Sequence, residues 1–358
     1  LKMTEEASLK YGINLPSRSI VSLPAGERTL FLVGTQSLKE DNQIYMLEVD
    51  DNWLDISTRS FDHPSGEIWS MSSSFVDSNI FATCYVSWND TIRSGVGLWK
   101  INDDESNLVE LAQYISPSKS GKCISAEFHP SGNKLAIAVD NSVLLADVVN
   151  SLKIESSTSI DGKTPVSASV WNFYSNGSIL AVAYDTLVEG IDVRTMQKTF
   201  SIRNVNSPRV RNLDFNPNVE HTVATCGDDF RVALWDIRKL DMPLKVLQDH
   251  RHWVWCVKFN PFHDQLLLSA GSDARLFLNS VESLSSDSNH ALALDDSCST
   301  PENVLGDKCL EKMEEHEESV YSCAWAGSNP WVFASVSFDG TVIISKLKQN
   351  FKYAVLRS

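Results

Sequence analysis

The chain has little of what marks an enzyme, a membrane protein or a nucleic-acid binder. Across 358 residues no apolar run approaches a membrane-spanning helix, which takes roughly 18 apolar residues. The opening LKMTEEASLKYG carries acidic residues where a signal peptide would need an apolar core. Positive charge is scarce: 31 Lys and Arg face 46 Asp and Glu, for a formal charge of -15. Nucleic acids and anionic membranes are held by clustered Lys and Arg that displace counterions, so neither is expected as a partner. The seven cysteines (84, 123, 226, 256, 298, 309 and 323) include no Cys-x-x-Cys pair. That spacing is usual for structural zinc, and reduced thiols in the cytosol account for the set. There is no Gly-rich phosphate loop after a strand, no Gly-x-Ser-x-Gly elbow, and no Cys and His pair with an orienting group. The expectation is a non-enzyme with no cofactor, no metal and no small-molecule substrate.

What the chain does have is a repeat. Length alone suggests two to three domains, a prior that fails for a repeat array. The segments IWSMSSSF, CISAEFHP, VSASVWNF, VRNLDFNP, VWCVKFNP and VYSCAWAG align Ile68, Cys123, Val166, Val210, Val254 and Val320, at spacings of 55, 43, 44, 44 and 66. Each alternates apolar with polar residues and runs into a turn such as HPSGNK or NPNVEH. About 19 residues further on stand Asp140, Asp185, Asp229, Asp273 and Asp339, spaced 45, 44, 44 and 66. An aspartate in a tight turn bonds nearby backbone N–H groups, so these five are read as structural.

An all-strand unit of about 44 residues is the period of a propeller blade. The stretch CGDDFRVALWDIRK, with Trp235-Asp236, resembles the WD40 family, and His250 and His316 stand where its repeats usually carry a histidine. Several repeats lack the Trp-Asp pair, so the paired spacings carry the assignment. Upstream, SIVSLP, LFLVGTQ and NQIYMLEV add one more set of strands. The expectation is all-β: a seven-bladed WD40 β-propeller, with residues 1–358 as one domain. Either the C-terminal FKYAVL or an N-terminal strand around YGINL closes the ring; the pattern leaves both open. The 66-residue gap places an insertion at 283–306, whose Ser, Asp and Asn favour a solvated loop open to phosphorylation. Shorter surplus falls in NDTIRSG and NDDESN, read as longer surface turns.

His250, His252 and Cys256 share parity in DHRHWVWCVKFNP. On one strand they spread too far to converge on a tetrahedral zinc ion, so His250 is assigned to its blade. Neighbours of each aligned apolar residue must point the other way, toward the rim of the central channel. That ring gathers Trp69, Arg209, Arg211, Trp253, Trp255 and Tyr321, of the residue types enriched at binding hot spots. It is the candidate partner-binding surface.

The runs FLVGTQSLKEDNQI (31–44), GEIW (66–69), CGDDFRVALWDIR (226–238), HWVW (252–255), EEHEESVY (314–321) and PWVFASVSFDG (330–340) closely resemble the family of EARP and GARP complex-interacting proteins. The likeness spans most of the chain and is weakest over about 120–205. It implies a cytoplasmic propeller that associates with the GARP and EARP tethering complexes at the trans-Golgi network and endosomes. The implied roles are endosome-to-Golgi retrieval, endosomal recycling and dense-core vesicle cargo sorting. It transfers no contact residue. A different class rests on WDIR: Trp235, Asp236 and Arg238 resemble the Trp-Asp-x-Arg box of cullin-4 ligase substrate receptors, with IDVR (191–194) a weaker copy. The same Asp and Arg can instead bond within their own blade, and a generic WD40 scaffold is a third reading.

Overall fold

The computed structural model describes residues 8–24, 26–50, 53, 55–88, 92–102, 107–117, 121–162, 164–286 and 305–357. They form seven four-stranded sheets. The first strands of the sheets, in chain order, are Ser17–Leu23, Glu67–Ser73, Cys123–Phe128, Ala168–Trp171, Val210–Phe215, Val254–Phe259 and Val320–Trp325. Each lies against the first strand of the next sheet, and the last lies against the first, so these seven inner strands ring a central channel. The chain is a seven-bladed β-propeller.

The ring closes through the N-terminal alternative. Strand Ser8–Gly12 pairs antiparallel with Thr341–Lys346, from Ser8 opposite Ser345 to Gly12 opposite Thr341. It supplies the outer strand of the seventh blade, whose other three strands come from the C-terminal end of the chain. The other candidate, FKYAVL, falls in the helix Gln349–Val355. There Phe351 and Val355 pack with Leu347, Leu305 and Trp331, an i, i+4 apolar pair that suits a helix rather than a strand.

The core lies between blades. One apolar cluster joins Leu32, Ile44 and Phe61 of the first blade to Ile68, Phe81 and Trp99 of the second. All six aligned landmark residues are buried there or in its counterparts. Four of the turn aspartates tie their blade to the segment entering it, and the fifth, Asp339, bonds within its own turn. Asp140 accepts from Lys122 N at 2.9 Å, Asp185 from Thr164 N at 3.0 Å and Asp273 from Arg251 N at 2.9 Å. Asp229 accepts from Asn206 Nδ2 at 2.9 Å, and Asp339 from Thr341 N at 3.2 Å and Thr341 Oγ1 at 2.9 Å. Gly271 opens room for this network: a Cβ there would meet His250 Nδ1 at 2.7 Å and Asp273 Oδ1 at 2.9 Å.

Two expectations change. The reading of DHRHWVWCVKFNP as one strand is too long, because the strand is Val254–Phe259 and His250, His252 and Trp253 precede it. His250 Nδ1 faces Asp273 Oδ1 at 3.0 Å, and its Nε2 faces Ser269 Oγ at 3.0 Å. Among the described residues no three His, Cys, Asp or Glu are grouped to hold a metal ion. The NDTIRSG surplus is only partly a turn, since Arg93, Ser94 and Gly95 pair with Ser87, Val86 and Tyr85 in a longer hairpin. Gly95 permits this because a Cβ would lie 2.5 Å from both Tyr85 Oη and Tyr114 O. Residues 89–91 and 103–106, and most of the 283–306 insertion (287–304), lie outside the described residues. Among the described residues no helix is long and apolar enough to cross a membrane.

Candidate partner-binding site

Unbroken alternation along the inner strands would set both neighbours of each landmark on the channel side, but a bulge interrupts it. In six blades the register shifts after the landmark, at Ser17/Ser19, Ile68/Ser70, Cys123/Ser125, Val210/Asn212, Val254/Cys256 and Val320/Ser322. A bulge places two residues opposite one and re-aims the extra side chain. Hence Val254, Cys256, Val257 and Phe259 are all buried while Trp255 and Lys258 are not. The bulged residues are Arg18, Trp69, Ile124, Arg211, Trp255 and Tyr321, and Ser167 holds the matching place in the fourth blade. All seven line one cavity of about 340 Å³ at the mouth of the channel.

Of the sequence-derived ring, Trp69, Arg209, Arg211, Trp255 and Tyr321 line this cavity. Trp253 stands outside it, 39% exposed, with its ring 5.3 Å from the Arg211 guanidinium and 6.0 Å from Trp255. Glu67, on the other side of the landmark Ile68, is buried, accepting from the indole N–H of Trp88 at 2.9 Å and of Trp69 at 3.3 Å.

Arg18 is the residue that sequence reasoning missed. Its guanidinium carbon lies 4.9 Å from the Trp69 ring, 4.7 Å from Tyr321 and 5.5 Å from Trp255. Each such contact contributes about 0.5–2 kcal/mol as the site loses water. A signal existed: SRSIVSLP ends in Pro24 as VWCVKFNP ends in Pro261, and that alignment sets Arg18 on Trp255. Lys122 joins the cluster 5.6 Å from the Trp69 ring, and Arg211 forks onto Asp228 at 2.6 and 2.9 Å.

Outside the mouth the aromatic surface continues as an arc across three blades. Phe230 stacks on His252 at 5.7 Å, His252 meets Trp253 at 5.1 Å, Trp255 meets Tyr321 at 5.1 Å, and Tyr321 meets Phe338 at 6.0 Å. Phe230 and Phe338 belong to the same turns as Asp229 and Asp339, and both are exposed. The turns that look structural in sequence thus present the ends of this arc.

Three residues further down the inner strands the charge changes. Lys258 Nζ lies 3.5 Å from Asp214 Oδ1, with Glu127 alongside. Burial pushes the Glu127 carboxyl up to about 7, with Lys258 opposing and Asp214 adding to the shift. A carboxyl raised in the folded state destabilises as it ionises: no penalty below its ordinary 4.5, the full penalty above about 7. Glu127→Gln should therefore stabilise the fold by on the order of 1–2 kcal/mol at about pH 8 and leave it unchanged at about pH 4. Urea unfolding at the two pH values checks this. A loss at the higher pH would show that Lys258 needs the ionised carboxylate.

The adaptor box lies at the other end of its blade. Asp236 is opposite Thr222, near the end of the inner strand that is remote from Val210. Trp235 is buried with its indole N–H on Thr225 Oγ1 at 3.0 Å, and Arg238 forks onto Asp236 at 2.9 and 2.8 Å. IDVR repeats the fork, Arg194 onto Asp192 at 3.3 and 2.9 Å. Each arginine thus spends its Nε and one Nη on the aspartate of its own blade, with the rest of the guanidinium exposed.

The sequence profile described as EIPR1 beta-propeller matches residues 5–279, and that of the WD domain, G-beta repeat, matches residues 307–344. The human "EARP and GARP complex-interacting protein 1" is 35% identical over 386 residues, covering 99% of this chain and 100% of its own. The Caenorhabditis elegans "EARP-interacting protein 1" is 34% identical over 364 residues, covering 98% and 99%. The Arabidopsis thaliana "WD repeat-containing protein DWA2" is 32% identical over 352 residues, covering 96% and 97%. With the family profile spanning most of the ring and full-length relatives above 30% identity, the chain belongs to the EIPR1 β-propeller family.

Proposed function

We propose that this chain is a non-enzymatic interaction protein that binds the EARP and GARP tethering complexes through its channel mouth and aromatic arc. The observation that carries the reading is the surface itself. Trp69, Trp253, Trp255, Tyr321, Arg209 and Arg211 fall on one end of the propeller, joined by Arg18, Phe230 and Phe338. Such a concentration of Trp, Tyr and Arg supplies hot-spot area that a monomer does not need for its own core. The names of the full-length relatives supply the partner. On this reading the protein is cytoplasmic and peripherally recruited to the trans-Golgi network and endosomes. It supports endosome-to-Golgi retrograde transport, endosomal recycling and dense-core vesicle cargo sorting. Its residues 1–358 act as one propeller domain, and the five turn aspartates are structural.

Affinity purification of the tagged chain with quantitative mass spectrometry tests this. Tether subunits should be enriched with the native chain and depleted with a Trp69→Ala, Tyr321→Ala double variant. Their absence from the native sample would overturn the partner, and equal recovery with the variant would overturn the surface. Recovery of a cullin-4 adaptor that disappears in Arg238→Ala would instead favour the ligase-receptor reading.

A further inference from the structure

Three aromatic rings around a channel mouth ordinarily make a receptor for a cation. Here the chain fills that cage with its own Arg18, which reverses the sign of what the mouth can take. Among the described residues Arg18 has no hydrogen bond or ion pair to a side chain or carbonyl; its contacts are the rings of Trp69, Trp255 and Tyr321. Burial and the neighbouring Arg211 guanidinium disfavour its charge, and no carboxylate is among the groups acting on it. Five guanidinium N–H donors in a fixed fork are thus poorly used inside a cavity.

The surroundings repeat this deficit. Ser167 Oγ and Arg209 Nε, both able to donate, are buried without a hydrogen-bond partner and line the same cavity, where Asn212 Oδ1 is an unpaired acceptor suited to an incoming N–H. Arg209 spends one N–H on Pro165 O at 3.3 Å, and Lys122 adds a fourth cation beside Trp69. Among the described residues Arg211 is ion-paired with Asp228, and Asp228 and Asp185 act on Arg209 from further away. Buried donors left unpaired destabilise, the more so when charged. A ligand that satisfies several at once recovers that energy. Deeper in the channel Lys258 is already paired with Asp214 and Glu127 adds a further carboxyl, so the favourable position for an anion is the mouth.

The geometry points to an anion site at the channel mouth that receives an Asp or Glu side chain of an extended peptide segment from a protein partner, with apolar neighbours of that side chain on the aromatic arc. A free phosphate would satisfy the donors but leave Trp253, Phe230 and Phe338 exposed; a peptide covers both. The overall charge of -15 opposes indiscriminate binding of acidic chains, so capture depends on this local cluster.

The inference rests on the channel mouth being the partner surface, but its test needs no tethering complex. The purified full chain is titrated with a fluorescein-labelled peptide Gly-Glu-Leu-Glu-Val-Glu-Gly, its Gln-for-Glu counterpart, and inorganic phosphate, at about 50 mM salt. The acidic peptide should bind saturably, quench tryptophan fluorescence and exceed the Gln peptide by about tenfold or more, a difference of about 1.4 kcal/mol. Arg18→Gln should remove at least about tenfold of that affinity. Arg209→Gln, which leaves the cage intact, should weaken it in the same direction. Equal binding of the two peptides, no binding at about 1 mM, or unchanged binding in both variants overturns the inference. So does displacement of the peptide by equimolar phosphate, which would make the mouth a small-anion site. If tether capture fails while the acidic peptide binds, the partner assignment falls and the anion site stands.

Discussion

Deletion of residues 1–12 is expected to abolish the closed ring and leave a chain that associates instead of remaining monomeric. The strand Ser8–Gly12 is the only outer strand supplied from the opposite end of the sequence, and it pairs along its whole length with Thr341–Ser345. Its removal takes away a ladder of backbone bonds, each contributing about 0.5–1.5 kcal/mol net. It also strips the partly buried Leu9 and Tyr11 from the core cluster around Val342 and Ile344. The sum is on the order of 5 kcal/mol, comparable with the 5–15 kcal/mol that holds a typical domain folded. The strand Thr341–Lys346, buried over five of its six residues, would become an open edge and a template for another chain. Size-exclusion chromatography and denaturant unfolding measure the effect, and a synthetic peptide spanning residues 1–15 should restore the monomer in part. A monomeric deletion variant with an unchanged unfolding midpoint would show that another segment closes the seventh blade.

The second large effect is on binding. Trp255→Ala should reduce tether capture by at least about 30-fold, the consequence of losing a hot spot of about 2 kcal/mol or more. Trp255 is the ring that both halves of the surface share. It touches Trp253 and Tyr321 along the arc, stacks on the Arg211 guanidinium at 4.6 Å, and forms one wall of the Arg18 cage. Its indole N–H is held by Ser272 Oγ, so the ring is presented in one orientation and little freedom is lost when a partner covers it. The side chain is only partly buried, so the fold should lose about 1–2 kcal/mol rather than the 3–5 of a core tryptophan. Trp255→Phe keeps an aromatic face and should retain most capture. If denaturation shows that Trp255→Ala costs as much as a core tryptophan, Trp255 is packing and not surface.

The anion site adds a direction to these expectations. Binding that depends on Arg18 and Arg209 should weaken with salt, because exposed charges are screened beyond about 10 Å at 0.1 M ionic strength. Binding that depends on the Trp253 and Phe338 arc should not.

Much of the fold is legible in the sequence because its causes are local. The 44-residue period, the buried landmarks Ile68, Cys123, Val166, Val210, Val254 and Val320, and the turn aspartates each follow from alternation and turn chemistry within one hairpin. The rim is only partly legible. Alternation alone places Trp69, Arg211, Trp255 and Tyr321 on the channel side of their strands, yet gives Trp253 the same standing. The bulge after each landmark separates them, and a bulge is set by how two strands pair, which a single strand does not display.

What the sequence by itself determined is the architecture of the units: seven alternating repeats, their buried faces, and the surplus of Trp, Tyr and Arg beside the landmarks. What only the tertiary structure decided is which of these meet. Arg18 and Tyr321 are 303 positions apart, and their contact exists because the ring brings the first inner strand against the last. The same closure chose Ser8–Gly12 over the C-terminal segment, filled an aromatic cage with the chain's own cation, and left Arg209 Nε without a hydrogen-bond partner. These are contacts between blades, fixed by ring geometry and by long-range closure, and no period within a blade encodes them.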